Sequence, residues 1–233
     1  MKVMSLFLAG AFALTAGNLS AASDRQDSIE RLNMASETLT AMINTPDKGI
    51  PEEVLSNAKC IVVVPHLVKG GFVIGAEHGR GVATCRTSDG WTAPAFVALN
   101  GGSWGLQIGV EGVDLVMLVM NDNGLQHVLS SKFKIGADAS ASAGPVGRHA
   151  SAGTDWKMES EILTYSRSKG VFAGISLDGA VVEQDKDSTR AIYDGDPSFR
   201  AILAGQVPAP HSTLAFVKAT SEAAHTSAVA DSK

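Results

Sequence analysis

The chain has 233 residues, of which 45% are hydrophobic and 18% are charged, and its formal net charge at pH 7 is −5. This composition excludes a disordered chain, because it provides enough apolar surface to build a buried core. The acidic balance disfavours nucleic-acid binding and gives no general attraction to anionic bilayers. The length suffices for one large domain or two small ones.

The first residues have the pattern of a secretory signal peptide. One positive charge, Lys2, precedes an apolar run from Val3 to about Ala16, and small residues follow it. We expect a signal peptide over residues 1–22, cleaved before Ser23, and therefore a periplasmic or secreted protein. An uncleaved membrane anchor is the alternative, although the apolar run is short for a membrane span.

Two cysteines, Cys60 and Cys85, are the only ones in the chain. Since export would place them in an oxidising compartment, we predict a structural disulfide between them, with two buried free thiols as the alternative. The sequence has no C-x-x-C pair, and its histidines are scattered without ligand spacing. We therefore expect no redox pair, no metal site and no cofactor.

The stretch from 24 to 58 is predicted to be helical. Its apolar residues recur near the helical period, and Pro51 with two acidic residues after it begins a second short helix. The apolar positions of the first helix are Ile29, Leu32, Leu39, Met42 and Ile43. We expect both helices to be amphipathic and to cover a core.

From 59 to 184 the sequence is typical of strands. Apolar stretches such as CIVVVP, WTAPAFVALN and VDLVMLVMN alternate with the short segments HGRG, SDG, NGG and EG, which we interpret as turns. Such short connections predict antiparallel neighbours, and the two apolar faces of VDLVMLVM predict a strand packed between two layers.

The predicted fold class is α+β: a mainly antiparallel sheet, sandwich-like or barrel-like, with N-terminal amphipathic helices and a short C-terminal helix. We expect one domain over 23–204, whose last helical part covers 187–203. Residues 205–233, rich in Pro, Ala, Ser, Thr and His, are predicted to be a flexible tail.

Four longer motifs follow one another along the chain: VKGGFVIGAEHGRGVATCR, GWTAPAFVALNGGSWGLQIGVEGVDLVMLVMN, KFKIGADASASAGPVGR and EILTYSRSKGVFAGISLDG. In this order they resemble the SYLF domain family, and the resemblance runs from about Ile50 to Tyr193. It implies a lipid-binding domain. Eukaryotic relatives bind phosphoinositides and are tied to actin and membrane remodelling, with a basic amphipathic N-terminal segment. The first helix here departs from that pattern, because it carries four acidic residues against two arginines.

The segment ADASASA has little side-chain bulk, yet alanine alternates in it with Asp or Ser. We predict an ordered strand rather than a linker, with Ala137, Ala139, Ala141 and Ala143 on one face. Such a face would let a helix, a strand or an acyl chain approach closely. Ordinary packing against the protein and the wall of a lipid cavity both remain open.

Four cations are candidates for holding a phosphate head group: Lys69, Lys132, Lys134 and Arg148. Lys132 and Lys134 would share one face of an extended strand, with Arg148 across a turn. Solvated charges at strand ends are the alternative interpretation.

An enzymatic function is not expected. The segment GGSWG at 101–105 matches the G-x-S-x-G pattern of hydrolase nucleophile elbows, but strand-like sequence follows it where that motif needs a helix.

We therefore hold two hypotheses. The first is an exported lipid-binding protein of the cell envelope, whose partner is phospholipid or a membrane surface. The second is a structural or interaction protein that uses the same sheet for an envelope protein partner or for self-assembly. Actin is not an expected partner of an exported protein, nor is nucleic acid.

Overall fold

The computed structural model describes residues 13–45, 49–146, 160–172, 175 and 177–230, with backbone only at 13–21, 72–74, 103–109 and 225–230. Its helices are α1 (Ala13–Ile43), α2 (Glu52–Asn57), α3 (Asp122–Leu129), α4 (Lys186–Ile192), α5 (Phe199–Leu203) and α6 (Leu214–Ala230). Its strands are β1 (Cys60–Thr87), β2 (Gly90–Trp91), β3 (Ala95–Val119), β4 (Lys132–Lys134), β5 (Ala141–Ala143), β6 (Ile162–Ser168), β7 (Val171–Phe172) and β8 (Val181–Gln184). None of the helices in the described part is long and apolar enough to cross a bilayer.

A long two-stranded ribbon forms the centre of the fold. Strands β1 and β3 pair antiparallel from Cys60 opposite Val119 to Ala83 opposite Ala95. The segments HGRG, NGG and EG therefore lie inside strands, and the prediction that they are turns is wrong. Their glycines serve close approach of the backbone rather than chain reversal. Of the predicted turns in this region, SDG does reverse the chain.

The ribbon folds back on itself. Its end at Cys60 and Val119 packs against its hairpin end, at Ala83 and Ala95. The backbone N–H of Arg86 donates to the carbonyl of Lys59 at 2.7 Å. Next to this contact the predicted disulfide between Cys60 and Cys85 is confirmed, and it joins the two ends of β1. A side chain at Gly81 would overlap the carbonyl of Val63, so glycine is required where the strand crosses itself.

The other strands extend this ribbon into one curled, mostly antiparallel sheet, which has eight strands among the described residues. Strand β6 pairs with residues 114–119 of β3, while β8 pairs with residues 97–100 and carries β4 on its other edge. Strand β5 runs parallel to β6. The predicted α+β fold class is confirmed.

The core lies inside the curled sheet and under α1. Residues 115–119 of β3 are fully buried, as the two apolar faces of this strand predict. Helix α1 buries Leu32, Leu39 and Met42, which confirms the predicted apolar face. The helix begins at Ala13, well before the predicted start near residue 24, and cleavage before Ser23 stays a prediction.

The C-terminal region is more ordered than its composition indicates. A 3₁₀ turn at His211–Thr213 leads into α6, which packs against α1 and α2. Phe216 and Thr220 of α6 are fully buried, and the Thr220 hydroxyl donates to the Phe216 carbonyl at 2.9 Å. The prediction of a flexible tail from 205 onward is therefore wrong for this helix, whose alanines favour helix formation.

Candidate functional site

The alanine-rich segment forms a turn and a short strand instead of one continuous strand. Between β4 and β5 the chain turns at Gly136, where φ is +83°, and Asp138 Oδ2 accepts a hydrogen bond of 2.7 Å from the Lys134 N–H. Because the Asp138 side chain bonds nearby backbone, it stabilises this turn against an extended strand. Ala137 is exposed, whereas Ala139 is buried.

The predicted single alanine face is therefore wrong. Ala141 is half-buried and Ala143 exposed, both within β5. A different contact explains the small residue that follows this strand. A Cβ at Gly144 would lie 2.5 Å from Cε2 of Tyr165, a buried ring whose hydroxyl pKa is raised by burial. The absence of a side chain at Gly144 thus leaves space for the Tyr165 ring. Contact of the four alanines with lipid stays a prediction.

One of the four predicted cations is buried, and another lies outside the described residues. Lys69 is buried, and its Nζ lies 3.0 Å from Glu77 Oε2, so its charge is already compensated. Arg148 falls outside the described residues.

The other two cations share one face, as predicted. Lys132 and Lys134 are exposed on either side of buried Phe133 in β4. The Nζ of Lys132 lies 3.0 Å from Glu183 Oε2 on β8. In the described part of the chain Lys134 has no ion-pair partner.

A cationic groove of about 570 Å³ lies beyond the Lys132 end of β4, between the α3–β4 turn and helices α4 and α5. It is lined by Leu129, Ser130, Ser131, Gln184, Lys186, Arg190, Asp196, Pro197, Ser198, Phe199 and Arg200. We call it the cationic groove because three of its side chains are basic and one is acidic. Its volume is within the range of sites for small ligands.

The cations of the groove differ in how far they are neutralised. Arg190 pairs with Asp187 on the same helix. Lys186 and Arg200 are exposed, and within the described residues neither has an ion pair. Sequence reasoning missed this site, because Lys186 and Arg190 lie on α4 and Arg200 lies on α5, and only the tertiary fold brings the two helices to one groove.

A second polar cluster joins α1 to the sheet. Arg31 contacts both Asp185, at 3.2 Å, and the Ser188 hydroxyl, at 2.8 Å, and Arg80 of β1 lies 3.4 Å from Asp185. Asp185 also accepts a hydrogen bond from the Ser188 N–H and so caps α4. Burial lowers the pKa of the Arg31 guanidinium. The Asp185 carboxylate thus contacts Arg31 of α1, Arg80 of β1 and the first turn of α4. These contacts attach α1 to the sheet.

The remaining motifs build the scaffold. Tyr193 donates to the carbonyl of Pro94 at 2.6 Å, which anchors the W-x-A-P-A-F segment, and Arg167 of the S-R-S segment pairs with Asp114 at 3.3 Å. The G-x-S-x-G segment at 101–105 lies inside β3, so it is not the strand-to-helix turn that a nucleophile elbow requires. No group of three potential metal ligands occurs among the residues whose placement is described.

These features define an α+β domain that is built on a folded antiparallel ribbon and carries an exposed cationic groove. The family model Ysc84, described as "Las17-binding protein actin regulator", matches residues 100–223. The chain belongs to this family, which is the same as the SYLF domain family, and the predicted resemblance is confirmed.

Similar proteins come from animals and yeast. The chain is 34% identical over 169 residues to SH3 domain-containing YSC84-like protein 1 of Rattus norvegicus, a match that covers 72% of this chain and 49% of that protein. It is 33% identical over 168 residues to Protein YSC84 of Saccharomyces cerevisiae, covering 70% of this chain and 36% of that protein. LAS seventeen-binding protein 3 of the same species is 31% identical over 168 residues, with the same coverage of 70% and 36%. The chain thus spans about half or less of the length of these relatives.

Proposed function

We propose that this chain is an exported lipid-binding protein of the cell envelope, and that its cationic groove holds the phosphate-bearing head group of an anionic phospholipid. The observation that supports this proposal most directly is the pair of uncompensated cations, Lys186 and Arg200, on one groove of head-group size. Phosphate oxygens accept charge-assisted hydrogen bonds from such groups.

The chemistry of the groove favours a head group over an acyl chain. Besides its cations the groove is lined by the hydroxyls of Ser130, Ser131 and Ser198, which suit a polar ligand. By contrast, the apolar pocket between Val62, Phe133 and the neighbouring core residues holds only about 10 Å³. We therefore prefer binding at a bilayer surface to extraction of a lipid into the core.

Vesicle sedimentation tests this proposal. The wild-type chain should sediment with vesicles of phosphatidylcholine and phosphatidylglycerol, but not with vesicles of phosphatidylcholine alone. Each cation near an anionic surface contributes about 1 kcal/mol, so the variant Lys186→Glu/Arg200→Glu should bind at least about thirtyfold more weakly. The variant Lys59→Glu/Lys218→Glu has the same net charge with an intact groove, and it should bind nearly as the wild type does. Equal losses in both variants would show that only net charge matters and would contradict the groove.

A second candidate function is a protein-binding module, which the comparisons favour. The family description refers to Las17 binding and to actin regulation, and one relative is named for binding LAS seventeen. The expectation that actin is not a partner depends on the predicted export and has no support in these comparisons. Co-sedimentation of the chain with purified actin filaments, together with no binding to either kind of vesicle, would favour this second function.

A further inference from the structure

A polar pocket of about 290 Å³, which we call the α1–α4 pocket, is lined by residues of helix α1, helix α4 and strand β1. Its volume is close to the lower end of the range for small-ligand sites. It adjoins the cationic groove, because Arg190 of α4 lines both. Unlike the groove, it has as many acidic as basic side chains among its described lining residues: Asp24, Asp27 and Asp187, with Arg31, Arg80 and Arg190.

The acidic side of the pocket is formed mainly by α1. Asp24, Asp27 and Arg31 are spaced by three and four residues, so they follow one another along one face of the helix. Asp24 and Asp27 are exposed, and in the described part of the chain neither makes an ion pair. Asp187, on the wall formed by α4, is already paired with Arg190. The two carboxylates of α1 are therefore the acidic groups of this pocket that can receive a cation.

The basic side of the pocket has an excess of positive charge. Nη1 of Arg31 and Nε of Arg80 lie 3.2 Å and 3.4 Å from the same oxygen, Asp185 Oδ2. One carboxylate thus faces two guanidinium groups. Arg31 is buried, whereas the Arg80 side chain is 48% exposed and makes no hydrogen bond within the described residues. The terminal amino groups of Arg80 can therefore bind two oxygens of a phosphate.

This distribution of charge favours a zwitterionic ligand. A simple anion at the two arginines would be repelled by Asp24 and Asp27, and a simple cation at these carboxylates would be repelled by the arginines. Side chains four residues apart on a helix, such as Asp27 and Arg31, have Cβ atoms about 5–6 Å apart. An ethylene link and an ester oxygen separate the ammonium of phosphoethanolamine from its phosphorus, which is a comparable distance. The charged groups of an α-amino acid share one carbon and lie closer together.

We propose that the α1–α4 pocket binds a phosphoethanolamine group, with its phosphate at Arg31 and Arg80 and its primary ammonium at the two carboxylates of α1. The phosphate accepts charge-assisted hydrogen bonds from the guanidinium groups, and the ammonium donates to the carboxylates. This group has two sources, free phosphoethanolamine and the head group of phosphatidylethanolamine. The site goes beyond the proposed function, because its ligand is zwitterionic and neither Asp24 nor Asp27 lines the cationic groove.

Isothermal titration calorimetry on the full chain tests the pocket. Phosphoethanolamine should bind at least about tenfold more tightly than phosphocholine, whose ammonium has no N–H to donate, and than inorganic phosphate, which has no ammonium. Asp27→Asn and Arg80→Gln should each weaken binding of phosphoethanolamine about tenfold. Glu30→Gln removes the same charge as Asp27→Asn at an exposed position of α1 outside the pocket, and it should bind as the wild type does.

Three results would overturn the proposal. The first is the absence of binding by the wild type. The second is equal affinity for phosphoethanolamine and phosphocholine, because the carboxylates would then not recognise a primary ammonium. The third is equal affinity of the Asp27→Asn and Glu30→Gln variants for phosphoethanolamine, which would place the ligand outside the pocket. Asp27 is exposed, so Asp27→Asn should fold as the wild type does, and circular dichroism checks this.

Vesicles distinguish the two sources of the ligand. Vesicles of phosphatidylcholine and phosphatidylethanolamine carry no net charge, so the cationic groove contributes little to binding them. Sedimentation with these vesicles that is lost in Asp27→Asn would identify the lipid head group as the ligand, whereas calorimetric binding without sedimentation would identify the free compound. Both results support the pocket. The variant Lys186→Glu/Arg200→Glu should keep its affinity for phosphoethanolamine, so failure of the groove and failure of the pocket are observed separately.

Discussion

Replacing Gly81 by alanine should disrupt the place where the ribbon crosses itself. A Cβ at this position would overlap the carbonyl oxygen of Val63 and lie 2.9 Å from both Cα and Cγ2 of Val64. Two of these three neighbours are backbone atoms of a buried strand, so rotation of a side chain cannot relieve the clash. The two segments of β1 must instead separate by at least about 0.6 Å to reach an ordinary carbon–carbon contact with Val64, and by about 1 Å to clear the Val63 oxygen.

Such a backbone shift in a packed core costs about 1–3 kcal/mol, and we expect about 3 kcal/mol because the disulfide resists separation of the two segments. That is a large share of the roughly 5–15 kcal/mol by which domains are stable. Urea unfolding, followed by circular dichroism without reductant, measures the free energy of unfolding. Gly112→Ala is the matched control, since a Cβ there meets nothing, and it should change stability by less than about 1 kcal/mol. Equal free energies of unfolding for the two variants would refute the close approach of the two segments of β1 at Gly81.

Two further predictions concern buried contacts. Gly144→Ala should lower stability by about 1–3 kcal/mol, since its methyl group would enter the space of the Tyr165 ring; an unchanged melting temperature would contradict this contact. Asp185→Asn should cost about 3 kcal/mol, because it leaves the buried Arg31 guanidinium without its carboxylate. The exposed Asp187→Asn should cost less than about 0.5 kcal/mol, and similar unfolding midpoints for these last two variants would show that the buried pair is not important.

The sequence predicted those features that depend on a local pattern or on a residue count. Helical periodicity identified the buried face of α1, and two apolar faces identified a strand between layers. The cysteine pair, interpreted together with predicted export, indicated the disulfide. Each of these signals is local or depends on a simple count, so no tertiary information was needed.

The errors came where one residue type serves two purposes. Glycine marks turns, but Gly81 is required by a strand crossing that depends on residues far away in the chain. Asp138 looked like one position of an alternating strand, yet its carboxylate bonds the backbone and closes a turn. The groove was missed for a related reason, because Lys186 and Arg200 are fourteen residues apart in sequence and only the tertiary fold places both on one groove.

The central claim is that this chain binds anionic phospholipid through its cationic groove. The most direct measurement is the affinity of the wild-type chain and of Lys186→Glu/Arg200→Glu for vesicles of phosphatidylcholine with phosphatidylglycerol. We predict binding by the wild type that falls as salt is added, and a loss of at least about thirtyfold in the variant. Identical affinities for the two proteins, or no binding by the wild type, would contradict the claim.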